Sequence, residues 1–280
     1  MSVQPESTAA VFEVHEPAAK EIPVVVEVPH AGLSVDATSM ATLCAPVRAL
    51  ARDADLYVDE LYVDAPAEGA TLLASKVSRY VCDLNRSAQD VDGLTVEGKG
   101  TRPYPHGLIW RSTTDDLPAL ERALPPAELE RRLEAIYRPY HLTLSQLLQR
   151  KQERFGYVIL LCGHSMPSRG RPGHADPGQL RADVVPGSRG GTSADRAVLD
   201  CTERVCRERG WSVDHDNPYK GGFSTGHYGR PRQGQHAIQI EISRRLYMDE
   251  RTLAKKPKDF AETRAFCRTL VAQLGKLALA

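Results

Sequence analysis

Three strand-length apolar runs dominate the chain: "IPVVVEVP" at 22–29, "YVILLC" at 157–162 and "HAIQIEIS" at 236–243. The first two are continuous and β-branched, the pattern of strands covered on both faces. Such strands need helical layers above and below them, and the stretches between the runs supply helical spacing. Apolar residues recur at three and four over 45–65, "APVRALARDADLYVDELYVDA". Residues 117–155 read as a charged helix interrupted at Pro125-Pro126 and Pro139, and 193–210 as a helix capped by a serine and ended by Gly210. A last amphipathic helix is predicted over 259–277, and 71–86 reads as one or two strands around a turn. Strands alternating with helices predict an α/β fold, a three-layer αβα sandwich on a mixed, mostly parallel sheet. With no repeat and no Pro- or Ser-rich linker, residues 1–280 are expected to form one domain, with 1–20 loose or an edge element.

Composition narrows the function classes. Lys plus Arg (36) equals Asp plus Glu (36), so nothing electrostatic argues for nucleic acid or an anionic membrane as partner. No apolar run nears the roughly 20 residues of a membrane span, and the N-terminus lacks the basic and apolar regions of a secretory signal. Six scattered cysteines without a CxxC pair are expected to be reduced thiols, with Cys82 and Cys162 inside strands, so the localisation expected is cytoplasmic. The sequence carries no signal for oligomeric state.

The polar residues at the strand ends are more telling. The first run leads into His30, the second into His164, and the third places Glu241 between Ile240 and Ile242. Ligands collect at the carboxyl ends of strands in α/β sheets, so these three residues are expected to converge. Two histidines and a carboxylate suit zinc, or another divalent metal, with one position left open for water. An acid inside an apolar strand must be paired, metal-bound or set at an opening. For the third ligand the 45–65 segment offers Asp53, Asp55 and Asp59; Asp55 is favoured and Asp53 is the alternative.

"CDLNR" brings Asn85 and Arg86 together at the end of an apparent strand, an amide and a guanidinium suited to a carboxylate. A Gly- and Asp-rich loop at 87–107 is long enough to be functional. A second glycine-rich segment, "NPYKGGFSTGHYGRPRQGQ" at 217–235, reads as a ligand-contacting loop, with Tyr219 and Thr225 as substrate contacts and Gly221-Gly222 allowing close backbone approach.

"PHAG", "DLNR", "YRPYH", "GHSMPS", "NPYKGGFSTGHYG" and "IQIEISRRLYMDE" occur in this order over 24–250. Together they resemble the N-formylglutamate amidohydrolase family, which in histidine degradation hydrolyses N-formylglutamate to glutamate and formate. That family is similar to zinc carboxypeptidases and aspartoacylases. The resemblance implies His30 and His164 as zinc ligands, Glu241 as general base, and Asn85 and Arg86 as the binders of the α-carboxylate of a small N-acyl amino acid. The relatives carry a glutamate three residues after the first histidine; here that position is Leu33, so the third ligand is sought around Asp55. Arg138 in "YRPYH" and Arg244 after the Glu241 strand are candidates for the oxyanion or a second carboxylate, and His141 for orienting base or substrate. Two other readings are weighed against this one: a zinc hydrolase of another N-acyl amino acid or small peptide, and a metal-free carboxylate-binding protein.

Overall fold

The computed structural model describes residues 10–172 and 174–279. The first nine residues of the segment expected to be loose lie outside that range. Six strands form one sheet: β1 (Phe12–His15), β2 (Val24–Val28), β3 (Thr71–Ser75), β4 (Val158–Met166), β5 (Val184–Gly187) and β6 (Gln235–Ser243), in the order β1-β3-β2-β4-β6-β5. The central four are parallel, and the edge strands β1 and β5 pair antiparallel to β3 and β6. The expected edge element is therefore β1.

The helices are α1 (Ala37–Met40), α2 (Val47–Asp53), α3 (Val58–Leu61), α4 (Pro126–Arg132), α5 (Arg138–Phe155), α6 (Arg196–Arg207), α7 (Phe223–Tyr228) and α8 (Pro257–Leu274). One sheet face, with Val24, Val26, Ile159, Leu161, Ile238 and Ile240, packs on α3, α6 and α8. The other, with Val25, Leu73, Leu160, Cys162 and Ala237, packs on α4 and α5. This is the expected three-layer αβα arrangement, and it follows from parallel strands whose two faces both have to leave water. Among the described residues no helix is long and apolar enough to cross a membrane.

Several expected elements change. The 45–65 helix breaks after Asp53: Ala54 is extended, Tyr57 has φ 68°, and helix resumes only at Val58. The 117–155 helix begins at Pro126, and 117–124 instead makes isolated bridges such as Leu43–Leu120. Pro139 does not stop it. Residues Leu133–Tyr137 form a wider π turn before α5, which accommodates the absence of a Pro139 N–H for the Ala135 carbonyl. The α6 cap is Asp195, whose side chain accepts from Ala197 N, rather than a serine. Only 71–75 of the 71–86 segment is strand, so Cys82, Asn85 and Arg86 lie in the irregular chain beyond it, whereas Cys162 is in β4 as expected.

Candidate metal and amide-hydrolysis site

Parallel β2, β4 and β6 end at the same edge of the sheet, and β4 and β6 are in register so that His164 faces Glu241. Side chains alternate along a strand. Cys162 belongs to the α4/α5 face, so Glu27, His164, Gln239 and Glu241 point to that face as well. The layer is apolar towards the strand starts and polar at their carboxyl ends. That change of polarity makes the floor of a cleft of about 410 Å³.

His30, Asp55 and His164 meet there. Each is buried, and their ligand atoms lie within 4.8 Å of one another. Asp55 Oδ2 is 3.0 Å from His164 Nδ1 and 3.5 Å from His30 Nδ1. His30 Nε2 donates to Asp83 Oδ1 at 2.7 Å, while its buried Nδ1 has no hydrogen-bond partner among the described residues. A neutral imidazole that donates from Nε2 carries its lone pair on Nδ1. The orphaned atom, the flanking carboxylate and the second imidazole form a donor set that fits a divalent metal. Burial pushes the Asp55 carboxyl up, but the hydrogen bonds and charge of His164 and His30 overcome it and hold the group well below the usual range.

The break after α2 is what delivers Asp55. The Asp55 N–H donates to the His30 carbonyl at 2.9 Å, so two candidate ligands share a backbone bond. The carbonyls freed at the helix end are met by arginines. Arg244 donates to Arg52 O and Ala54 O at 2.7 Å each, Arg171 to Arg52 O at 2.9 Å, and Arg79 to Asp53 O at 3.2 Å. Cations suit the carbonyl end of a helix, where the macrodipole is negative. Asp53, the alternative, lies outside the His30-Asp55-His164 group, and Tyr80, the Thr114 backbone and Arg171 donate to its oxygens. Asp59 is at the surface, 4.0 Å from Lys76.

Asp83, which sequence reasoning quoted within "DLNR" without giving it a role, carries the support of His30. Besides the imidazole it accepts from Arg79 Nη2 and Trp110 Nε1, both at 2.9 Å. Burial opposes its ionisation, but His30 and Arg79 hold the carboxyl well below the usual range. Glu241 lines the cleft with its Oε1 accepting from Gln239 Nε2 at 2.9 Å, and burial pushes its pKa up to about 7. A carboxyl near neutrality beside a candidate metal is placed to accept and return a proton.

The substrate-binding expectations divide. Arg86 lines the cleft; its Nε donates to His106 O, and its two Nη atoms have no partner among the described residues. Asn85 also lines it, but its Oδ1 accepts from Ser224 N and its Nδ2 lies 3.2 Å from His164 Nε2 and 3.3 Å from Gln239 Oε1. Tyr219 lines it and accepts from Arg181 Nη1. Gly222 is required where a Cβ would fall 2.3 Å from the Asn85 amide, as the close approach of this loop predicts.

Three residues fall elsewhere, and a fourth is engaged by the protein itself. Arg138 is exposed and pairs with Glu130 and Glu134, because its position on α5 faces solvent. His141 is set among the rings of Tyr137, Phe223 and Tyr228, 3.0 Å from the Tyr228 hydroxyl, where burial pushes its pKa down to about 4. Thr225 is fully buried, with its hydroxyl towards Cys162. Arg244 reaches the cleft, but its donors go to Ser165, Asp55 and the two carbonyls, so it holds the candidate ligand Asp55. Sequence reasoning also missed Gln239, although it shares a strand face with Glu241 at i−2. Arg171, His174 and Arg181, in the glycine-, arginine- and proline-rich loop after β4, were given no role by the sequence and line the cleft.

A doubly covered α/β sheet with a His-Asp-His group and a buried carboxylate at its strand ends fits the class that the family match and the relatives show, a hydrolase of amide C–N bonds. The chain belongs to the N-formylglutamate amidohydrolase family, whose model matches residues 22–248. It is 35% identical over 257 residues to an N-formylglutamate deformylase of Pseudomonas aeruginosa, covering 90% of this chain and 92% of that one. It is 36% identical over 232 residues to the enzyme of the same name from Pseudomonas putida, covering 82% and 83%. The crystal structure of N-formylglutamate amidohydrolase from Ralstonia eutropha JMP134 is similar with a TM-score of 0.88 at 33% identity, covering 95% of this chain and 98% of that one.

Proposed function

We propose that the protein is a zinc-dependent deformylase that hydrolyses N-formyl-L-glutamate to glutamate and formate. The observation that carries the reading is the buried, unpartnered Nδ1 of His30 beside Asp55 and His164, with Glu241 in the same cleft. A third-ligand carboxylate is present although position 33 is Leu33, which argues against a metal-free binding protein. Two histidines and one carboxylate form the donor set of catalytic zinc sites. The names of the Pseudomonas relatives support the same substrate.

The cleft suits a substrate with two carboxylates. Six arginines and one lysine line it against four acidic side chains, in a chain whose overall charge is zero. That local excess draws anions in and disfavours uncharged amides. Arg86, with neither terminal nitrogen bonded to a described residue, would hold a carboxylate by a two-point contact. Zinc, held by His30, Asp55 and His164, would supply Lewis acidity towards the acyl oxygen and a water acidified towards a pKa of about 7. Glu241 would take the proton of that water and return it to the leaving nitrogen.

The test is formate release from N-formyl-L-glutamate by zinc-loaded protein, run beside N-acetyl-L-glutamate, N-formyl-L-leucine and a dipeptide. Preference for N-formyl-L-glutamate by kcat/KM is the expected result. A higher kcat/KM on another of these amides would replace the substrate while keeping the reaction class.

A further inference from the structure

Gln239 is a buried amide at the centre of the site, two residues before Glu241 on the same face of β6. Its orientation is settled by its neighbours. Oε1 accepts from Gly222 N at 2.9 Å and lies 3.3 Å from Asn85 Nδ2, so the NH₂ end must be the one facing Glu241 Oε1 at 2.9 Å. Two amide donors on one side and a carboxylate on the other leave no reason for the group to flip. One oxygen of Glu241 is thereby engaged, and the other has no hydrogen-bond partner among the described residues. Among the described residues no arginine or lysine lies within hydrogen-bonding distance of Glu241, so this amide is the contact that fixes the carboxylate plane.

We propose that Gln239 is the positioning residue of the base: by holding Glu241 Oε1 it aims the second oxygen at the attacking water. The same amide accepts from the loop backbone at Gly222 and faces Asn85, so the aim of the base is tied to the docked position of the 217–235 loop. Asn85 is tied to that loop as well, through Ser224 N. The inference rests on reading Glu241 as the general base of an amide hydrolase. A carboxylate that must accept a proton at one oxygen loses efficiency when it can rotate, since small misplacements of a reacting group cost large factors in rate.

Two variants separate aiming from scaffolding. Gln239→Met keeps the length and neutrality of the side chain and withdraws the donor to Glu241, leaving a thioether sulfur as a weak acceptor. Gln239→Leu withdraws donor and acceptor. In zinc-loaded protein at pH 8, kcat is expected to fall about 100-fold in each. Zinc content should stay at the wild-type level in each, and the inhibition constant of glutamate should be unchanged in Gln239→Met. Wild-type kcat in Gln239→Met overturns the proposal, as does a loss confined to KM or to zinc occupancy. A wild type that leaves N-formyl-L-glutamate intact overturns the proposed substrate instead, and the variant-to-wild-type ratio is then read on the amide that it does hydrolyse. A readout independent of turnover is the crystal structure of Gln239→Leu. There the Glu241 carboxylate is expected in a new rotamer, and an unmoved carboxylate also overturns the proposal.

Discussion

Asp83 Oδ1 accepts from His30 Nε2 at 2.7 Å, and this contact selects the nitrogen that His30 turns towards Asp55. Arg79 and Trp110 hold Asp83 in turn, so the imidazole is oriented by a buried chain of hydrogen bonds. Replacing Asp83 by alanine should weaken metal binding by about 10- to 100-fold, the usual cost of removing such a partner. Chelator competition followed by elemental analysis reads this directly. An unchanged metal dissociation constant would remove Asp83 from the support of the site.

Glu241→Gln keeps the shape of the side chain and the metal ligands but removes the proton acceptor. Metal content should remain, and kcat should fall by about 100- to 10,000-fold. Residual activity near wild type would mean that the base lies elsewhere.

The same residue sets a pH dependence. Burial raises its pKa from 4.5 to about 7, and only the ionised form accepts a proton. Activity is therefore full above the folded pKa and is lost as pH falls through it. A bound divalent cation favours the carboxylate and moves the limb down, so the midpoint of kcat/KM should lie between 4.5 and 7. A kcat/KM profile flat from pH 8 down to 4.5 would sink the assignment.

The three candidate arginines should separate by phenotype. Arg86 offers free donors, and Arg86→Ala should raise KM by about 10- to 100-fold through lost charged hydrogen bonds while metal stays bound. Arg244 holds Asp55 and the end of α2, so Arg244→Ala should show first as lost metal and a lower thermal midpoint. Arg138, paired with Glu130 and Glu134 at the surface, should be replaceable by alanine with kcat, KM and metal content unchanged.

Much of this site could be read along the chain. Continuous β-branched runs announce strands buried on both faces, and the polar residue that ends or interrupts such a run has to be paired, metal-bound or set at an opening, which is why His30, His164 and Glu241 stood out. Period-two alternation carried the same message for Gln239, whose neutral amide drew less notice than an acid. The helical spacing of 45–65 misled in one respect. It continues through Asp55, yet the backbone leaves the helix there, because the carbonyls at its end find Arg244, Arg171 and Arg79, and the Asp55 N–H finds the His30 carbonyl. Those partners are remote in sequence, so local propensity holds no trace of them.

The same distinction governs the arginines. Residue type told that guanidinium groups were available for carboxylates, and motif order drew attention to Arg86, Arg138 and Arg244. Which of them is free to meet a substrate depends on what else lies within about 3 Å of each donor. Folding spends Arg244 on Asp55, Arg138 on two surface glutamates, and leaves the ends of Arg86 open in the cleft. Strand identity and the candidate ligands are local properties of pattern and chemistry; partner occupancy is a property of the packed chain.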